Sequence, residues 1–346
     1  MFTKPLITAG MATALLFTAA PAMADDTGLY GAADPAFDGA YRQSLSILAL
    51  TAAGKTVPRS ATRWLRQQQC DDGGFVAYRA DTGPSCPAPD PVSFAGQDTN
   101  STATAAAALL ATGNRKAARQ AVAWLVEHRD ADGGWAYYPG AGATADTNST
   151  ALANAAVAAV RGKQKNRYLR TIQLRCSAPK KSRGALAFDA SLPEANDNAT
   201  SQAAWMLGGG LTLPTPGKIS KSSPRLTCSG KNRNQASVKQ AALGYLSARL
   251  LAVKGRLPYG GGYPGTDYAG AASATLALAN ARAGRKAVKT TTRFLKSSAD
   301  DWITANGQDA PGPIAMLILL AHATGENPKD FGGTNLIKRL AKSQTR

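Results

Sequence analysis

The stretch that decides the fold is WLVEHRDADGGWAYYPGAGATADTNSTALANAAVAAVRG, residues 124–162. It holds an aromatic-leucine pair, an Asp-Gly-Gly-Trp turn, and then Asp-Thr-Asn-Ser-Thr at the start of an alanine-rich segment. A near copy lies upstream, with WLRQQQCDDGGFVAY at 64–78 and GQDTNSTATAAAALLATG at 96–113. Two copies of one helix–turn–helix pattern indicate a repeat protein, in which neighbouring units bury each other's apolar faces.

Segments that begin with aspartate and end with glycine about 16 positions later recur along the chain. They are 38–54, 98–113, 146–162, 267–284 and 309–325, with a degenerate sixth at 197–209. Aspartate accepts hydrogen bonds from the free amides of a first helical turn, and glycine takes the left-handed conformation that ends a helix. Because their interiors are small and apolar on all sides, these segments predict six buried helices.

A second type of helix alternates with the first and carries an aromatic-leucine pair among Lys, Arg and Gln residues. The pairs are Trp64-Leu65, Trp124-Leu125, Tyr168-Leu169, Tyr245-Leu246 and Phe294-Leu295, and a last helix of this type begins near Thr334. These helices have one apolar face, so we expect them to cover the buried set from outside.

The pattern predicts an all-α fold, an (α/α)6 toroid of six inner and six outer helices that spans residues 38–346. Residues 25–37 would form an N-terminal leader segment. Ring closure is favoured because the chain starts with an inner helix and ends with an outer one, which could pack beside the first. The alternative is an open right-handed superhelix.

The outer-helix ends match the repeat of the prenyltransferase/squalene-cyclase α/α-toroid superfamily. That repeat reads aromatic-Leu, three residues, Gln, three residues, Gly, one residue, aromatic. Trp64-Leu65, Gln69, Gly73 and Phe75 fit it at every spacing. The chain therefore resembles an exported member of this superfamily of unknown activity, specifically so over residues 57–162.

The second copy keeps Trp124-Leu125, Gly133 and Trp135 but has Arg129 where the superfamily has Gln. Later repeats are expected to keep only the aromatic-leucine pair. The resemblance implies a Gly-Gly-aromatic turn between an outer and an inner helix, with the aromatic packed at the junction.

The motifs that would carry this superfamily's known chemistry do not occur in the sequence. It has no Asp-x-Asp-Asp string of the squalene-type cyclases and no Cys-Gly-Glu-Gln of the thioester domains. The nearest acidic string, at 130–133, belongs to a turn. No Cys-x-x-Cys occurs and both histidines are isolated, so we expect no metal site and no cofactor.

Residues 1–24 have the features of a signal peptide, with Lys4, an apolar stretch and a small-residue site for cleavage after Ala24. We therefore expect a secreted protein, the alternative being a single membrane anchor. An exported chain with four cysteines predicts two disulfides. Of three possible connectivities we favour Cys70–Cys86 and Cys176–Cys228, since each would close one long insertion.

The 40 basic residues outnumber the 22 acidic ones, for a net charge of +18. In a toroid, loops that run from outer to inner helices lie on one face, and sorting loops by this rule places most acids and aromatics there. The opposite face would carry the basic segments 114–119, 161–167, 218–233 and 282–289. That face predicts contact with an anionic cell-envelope polymer or membrane surface, or else a solvated surface, and no nucleic acid.

The acidic and aromatic face would form the mouth of the ring and its ligand site. The predicted ligand-binding residues are Trp135, Tyr137, Tyr138, Tyr259, Tyr263, Tyr268 and Trp302. The catalytic candidates are Asp72, Asp132 and Asp146, whereas Asp98, Asp146, Asp267 and Asp309 are interpreted first as helix caps. The Asn-x-Ser/Thr strings at Asn100, Asn148 and Asn198 are interpreted as helix starts and not as glycosylation sites.

The leading functional hypothesis is an exported, non-catalytic binding protein for a small apolar or amphipathic ligand, or a glycan. The alternatives are a carbohydrate-active hydrolase or lyase, which would use paired carboxylates at the same mouth, and a divergent isoprenoid cyclase. A further alternative is an interaction scaffold whose ring is filled by its own side chains.

Overall fold

The computed structural model describes residues 27–165, 167–214, 216–228, 237–260 and 263–345. The predicted signal peptide, its cleavage site after Ala24 and the first leader residues lie outside these ranges. No helix within them is long and apolar enough to span a membrane.

The regular secondary structure of the described residues is almost entirely helical, as predicted. Six helices with apolar, small-residue interiors form the inner set: α1 (Gly39–Ala52), α3 (Thr99–Ala111), α5 (Thr147–Arg161), α7 (Asp197–Leu207), α9 (Tyr268–Asn280) and α12 (Pro311–Thr324). The aromatic-leucine pairs lie on an outer set: α2 (Arg59–Gln67), α4 (Arg115–Glu127), α6 (Arg167–Thr171), α8 (Val238–Ala252) and α10 (Arg285–Ser297). The final helix α13 (Leu336–Lys342) packs on α12.

Two features were not predicted. A short helix, α11 (Ala299–Ile303), leads into a two-stranded antiparallel hairpin of β1 (Thr304–Ala305) and β2 (Gln308–Asp309), with Thr304 paired to Asp309. A single 3-10 turn (Lys180–Ser182) follows α6, which is itself only one and a half turns long.

The inner helices pack in a closed order. Each contacts the next along the chain, from α1 through α3, α5, α7 and α9 to α12, and α12 contacts α1. Residues near both ends of the described part of the chain meet at the same seam. The amide of Gly28 donates to the carbonyl of Thr345 at 3.0 Å, and the amide of Thr345 donates to the carbonyl of Leu29 at 2.8 Å. Ring closure therefore uses both helix packing and the backbone hydrogen bonds between these residues.

Aspartate caps three of the inner helices. Asp98, Asp146 and Asp267 accept the backbone amides of Ser101, Ser149 and Gly270, each in the first turn that follows. Each cap of this kind is worth about 1 kcal/mol.

The capping prediction is wrong at the other three inner helices. Asp38 caps nothing and instead pairs with Arg42 at 2.8 Å. The cap of α7 is Asn196, one residue earlier than expected. Asp309 lies in β2, and α12 begins with Pro311, whose missing amide leaves one fewer donor to cap.

One glycine was also misassigned. Gly284 does not end α9, which stops at Asn280, and it lies instead at the N-cap position of α10 with φ +66°. The left-handed turn after α9 is made by Arg282, at φ +53°.

The spacing between Gln69 and Gly73 has a structural reason. The side-chain amide of Gln69 donates to the carbonyl of Gly73 and to that of Ala117, on the next outer helix, both at 3.0 Å. Arg129 does the same in the second copy, reaching Gly133 at 3.1 Å and Lys165 at 3.2 Å. One long polar side chain thus joins each glycine turn to the following repeat.

The third repeat keeps this device, which corrects the expectation that it retains only Tyr168-Leu169. Gln173 donates to the carbonyls of Gly184 at 3.1 Å and Val238 at 2.9 Å. The sequence pattern was hidden because an insertion separates Gln173 from its glycine.

Both favoured disulfides are present. Cys70 pairs with Cys86 across 16 positions and Cys176 with Cys228 across 52. The first ties a glycine turn to the insertion that follows it, and the second ties the third repeat to the segment before α8.

Candidate functional site

Asp-Thr-Asn-Ser-Thr is the junction at which consecutive repeats meet. In the first copy, the amide of Thr99 donates to the carbonyl of Tyr137 at 2.9 Å, and its hydroxyl donates to Ala136 at 2.7 Å. The hydroxyl of Thr102 accepts the amide of Phe75 at 3.0 Å. The start of α3 therefore holds its own glycine turn and the loop of the next repeat.

The second copy is built in the same way. Thr147 donates to the carbonyls of Phe188 at 2.8 Å and Ala187 at 2.6 Å, while Thr150 accepts the amide of Trp135 at 2.9 Å. This arrangement places the loop after each glycine turn over the amino end of an inner helix.

The central asparagine of the motif faces the neighbouring inner helix. Asn148 Nδ2 donates to Oδ1 of Asn198 at 3.1 Å, and Asn198 Nδ2 donates to Oδ2 of Asp267 at 3.0 Å. These bonds link α5, α7 and α9 in a row at their amino ends. The Oδ1 atoms of Asn100 and Asn148 are buried and accept no hydrogen bond.

Asp98 has the most perturbed carboxyl of the described aspartates. Its side chain is fully buried, Oδ1 accepts the amide of Ser101 at 2.7 Å, and Oδ2 is buried with no partner. Burial raises the pKa of Asp98 to about 6, although the hydrogen bonds from Ser101 act in the opposite direction. A carboxyl with this pKa can hold or release a proton near neutral pH.

Aromatic rings lie beside this carboxyl. Tyr137 and Tyr138 pack edge to face with ring centroids 4.7 Å apart, and Phe94 packs against Tyr138 at 6.3 Å. Burial and the nearby charge of Asp98 raise the pKa of both tyrosines, so both phenols stay protonated. Phe94 is 76% exposed, which leaves an apolar surface open to solvent at this point.

We call this group the mouth site. It consists of Phe94, Asp98, Asn100, Tyr137, Tyr138 and Asn148. It combines buried oxygen atoms that lack hydrogen-bond donors with aromatic rings that are partly exposed.

Two of the seven predicted ligand-binding residues, Tyr137 and Tyr138, lie in the mouth site. Trp135 does not, which corrects its assignment as a ligand contact. It is 1% exposed, its Nε1 donates to the carbonyl of Leu125 at 2.6 Å, and the guanidinium of Arg129 lies 4.7 Å from its ring centroid. Its role is to pack at the junction between repeats.

The remaining four aromatics lie elsewhere. Tyr268 stacks between Phe294 at 5.8 Å and Trp302 at 5.9 Å, in a column between α9, α10 and α11. Tyr259 and Tyr263 are exposed in the loop before α9 and belong to neither group. The structure does not gather the predicted aromatics into one site.

The three candidate catalytic carboxylates make structural contacts. Oδ1 of Asp72 accepts the amide of Gly74 at 3.0 Å, and Oδ1 of Asp132 accepts that of Gly134 at 2.8 Å. Asp146 caps α5, and burial raises its pKa. Asp72 and Asp132 are therefore parts of the glycine turns.

Several acids of the predicted acidic face are neutralised by bases from outer helices. Arg249 binds Asp197 at 2.8 Å, and Arg339 binds both Asp300 at 2.8 Å and Asp309 at 2.5 Å. The two charge classes thus meet at these helices. Within the described ranges, no group of three or more His, Cys, Asp or Glu side chains is placed to hold a metal ion.

Sequence reasoning interpreted Asp98 as a cap and Asn100 and Asn148 as helix-start residues, and it did not name Phe94. The signal for the asparagines was available, because each stands two positions after a capping residue. Their burial and missing partners depend on neighbouring repeats and could not be read from that spacing.

No family model matches the sequence, and no curated protein matches it either. Solved structures do match. The type II terpene cyclase MstE from Scytonema is 15% identical, with a TM-score of 0.49 over 79% of this chain and 71% of the cyclase. A protein from Actinoplanes is 17% identical, with a TM-score of 0.48 over 87% of this chain and 93% of its own.

A variant of the same cyclase has been solved in complex with geranylgeranyl dihydroxybenzoate, its substrate, and is also 15% identical, with a TM-score of 0.48 over 79% of this chain and 71% of the variant. At these identities and TM-scores, similarity to the cyclases does not extend to activity. The fold is established by the contacts between its helices.

Proposed function

We propose that this chain is an exported (α/α)6 toroid that binds a small amphipathic ligand, without turnover, at the mouth site. The basic segments on the opposite face would hold the protein near an anionic cell-envelope surface. Among the described residues we count six inner and six outer helices when α11 is taken as part of the connection between α10 and α12, and this count supports the proposed toroid.

One observation carries the ligand proposal. Oδ2 of Asp98 and Oδ1 of Asn100 and Asn148 are buried acceptors with no donor, clustered at the starts of adjacent helices α3 and α5. A buried acceptor without a donor costs roughly 1–3 kcal/mol. A ligand with hydroxyl or amino groups would recover this energy by donating to these atoms.

The rings beside these acceptors determine what the rest of the ligand should be. Phe94, Tyr137 and Tyr138 offer apolar faces, with Phe94 open to solvent. An apolar ring or chain would pack there and remove this surface from water. The matching ligand therefore has an apolar body with one or more hydrogen-bond donors at one end.

The test is ligand capture. The purified mature protein is mixed with a lipid and metabolite extract, and co-eluting compounds are identified by mass spectrometry. Asn100→Leu should reduce capture at least about tenfold, because an acceptor is replaced by an apolar group. Asn280→Leu is the matched control, since its buried Oδ1 also lacks a partner but lies at the carboxyl end of α9.

Capture retained by Asn280→Leu and lost by Asn100→Leu supports the proposal. Equal loss in both variants would place the ligand elsewhere. Recovery of no compound, together with turnover of a glycan, would replace binding with carbohydrate hydrolysis.

A second candidate function rests on Asp98. A buried carboxyl with a pKa of about 6 and one free oxygen is suited to donate a proton to a substrate held against aromatic rings. This favours the divergent isoprenoid cyclase over the carbohydrate enzyme, whose expected carboxylates Asp72 and Asp132 serve turns. Cyclised product from geranylgeranyl compounds, abolished by Asp98→Asn, would support it.

A further inference from the structure

A basic groove follows the outer helix α10. It has a volume of about 930 Å³ and lies between α10, the 217–219 segment and the loop after α12. Its cationic wall consists of Arg285, Lys289, Arg293 and Lys296. We call this the α10 groove.

The four cations form one stripe along the helix. They are spaced by four, four and three positions, so they lie on one face, at intervals of about 6, 6 and 4.5 Å along the axis. The whole stripe is about 16 Å long. Lys218 faces it from the opposite wall. A row of cations at such short intervals matches a linear chain of anions better than one compact ion.

The two end residues of the stripe have protein partners, whereas the two central residues have none among the described residues. Arg285 Nε donates to the carbonyl of Ile219 at 2.7 Å, and Lys296 pairs with Glu326 at 2.7 Å. Lys289 and Arg293 are exposed and make no hydrogen bond or ion pair with the residues that the structure describes. Cations of this kind can bind an anion without first giving up a protein partner.

The other lining residues indicate the type of polyanion. Ile219, Val288 and Thr292 form an apolar floor, and no aromatic side chain of the described residues lines the groove. Single-stranded nucleic acids gain much of their affinity from stacking of bases on aromatic rings. The α10 groove offers no such surface, whereas arginine forks suit phosphate oxygens.

We propose that the α10 groove binds a linear phosphodiester polymer that has no bases, a polyol-phosphate chain, with three to four phosphates along the stripe. This site begins at the basic segments 218–233 and 282–289, continues along the outer helix α10, and is independent of the mouth site. Lys289 and Arg293 bind the central phosphates, and Lys218 closes over the chain from the other wall.

The test measures binding of a short fluorescent poly(glycerol phosphate) to the full mature protein. The double variant Lys289→Gln/Arg293→Gln should weaken binding at least about tenfold, because two phosphate contacts are lost. It should also flatten the slope of log Kd against log salt concentration by about 1.4. Arg63→Gln/Arg66→Gln on α2 is the matched control, with the same loss of charge on another outer helix and outside the basic segments.

Unchanged binding by the control and loss in the α10 variant supports the proposal. Equal losses would show that net charge and not the groove governs binding. Tighter binding to a single-stranded oligonucleotide or to anionic phospholipid vesicles than to poly(glycerol phosphate) would overturn the choice of polymer. Retained capture of the small ligand by the α10 variant separates this result from the mouth site.

Discussion

Asn148 and Asn198 stand 50 positions apart and are joined by a hydrogen bond of 3.1 Å between their side chains. Asn198 also donates to the buried carboxylate of Asp267 at 3.0 Å, so one amide links three inner helices. Asn100 holds the same place in its repeat, but its Oδ1 has no partner. Equivalent residues therefore differ in their contacts, because Asn198 joins two neighbouring helices, whereas Oδ1 of Asn100 is one of the acceptors that the proposed ligand would use.

The first prediction contrasts Asn198 with Asn100. Asn198→Ala should lower the free energy of unfolding by about 2 kcal/mol, because it removes the acceptor of Asn148 Nδ2 and the donor to Oδ2 of the buried Asp267. Asn100→Ala should change it by less than about 1 kcal/mol, since its Oδ1 loses no bond. Urea titration measures both. Equal destabilisation by Asn198→Ala and Asn100→Ala would show that the hydrogen bonds of Asn198 do not account for the loss of stability.

The second prediction concerns pH. Because burial raises the pKa of Asp98 to about 6, the folded state binds more protons than the unfolded state between roughly pH 4 and 6. The contribution of Asp98 to stability therefore falls as pH rises through this window. Asp98→Asn keeps a capping oxygen but has no charge, so its stability should lack this fall.

Above pH 6 the Asp98→Asn variant should be more stable than the parent, by on the order of 2 kcal/mol. The control is Asp90→Asn, because hydrogen bonds led by that of Ser93 lower the pKa of Asp90 and give the opposite sign. Thermal unfolding from pH 4 to 8 measures the profiles. Parallel curves of stability against pH for the parent and Asp98→Asn would contradict the raised pKa of Asp98.

The third prediction concerns the polar bridge between repeats. Arg129→Gln should cost less than about 1 kcal/mol, since glutamine makes the equivalent bonds at Gln69. Arg129→Ala should cost about 2 kcal/mol, because it removes the bonds to Gly133 and Lys165 and the contact with Trp135. Chemical denaturation distinguishes them. If Arg129→Gln lowered stability as much as Arg129→Ala, the polar bridge between repeats would not explain the contribution of Arg129.

The fourth prediction uses two glycines with left-handed backbones. A Cβ at Gly73, where φ is +98°, would lie 2.5 Å from the backbone of Gln120 on α4. A Cβ at Gly54, where φ is +64°, would meet nothing within 4 Å. Gly54→Ala should cost about 1–2 kcal/mol from conformation alone. Gly73→Ala should cost at least twice as much, measured by the shift in Tm, and similar shifts would contradict the close packing of the turn.

The secondary structure could be predicted because its causes are local. Alternation of apolar and one-faced helices, an aspartate before α3, α5 and α9, and the spacing of the cysteines were all visible within single segments. Prediction failed where a neighbour changed the local chemistry. At α12 the helix begins with Pro311 in place of the expected aspartate cap. The bridge made by Gln173 was missed because an insertion separates this residue from its glycine.

The candidate site could be predicted only in part. Tyr137 and Tyr138 were expected in it, but Asp98 was interpreted as a plain helix cap and Trp135 as a ligand contact. Capping is decided by adjacent residues, whereas the pKa of Asp98 depends on burial in the folded structure. Trp135 is buried, with its ring against Arg129 and its indole bonded to the carbonyl of Leu125.

The sequence by itself predicted the main helices and which of them are buried, and it favoured the two disulfides that the structure contains, since periodicity, capping and loop length act over short distances. Only the tertiary structure decided which polar atoms lack partners at the mouth site and where the second wall of the α10 groove lies. Those features join residues from different repeats, and the free energy of a buried polar group depends on every neighbour that surrounds it.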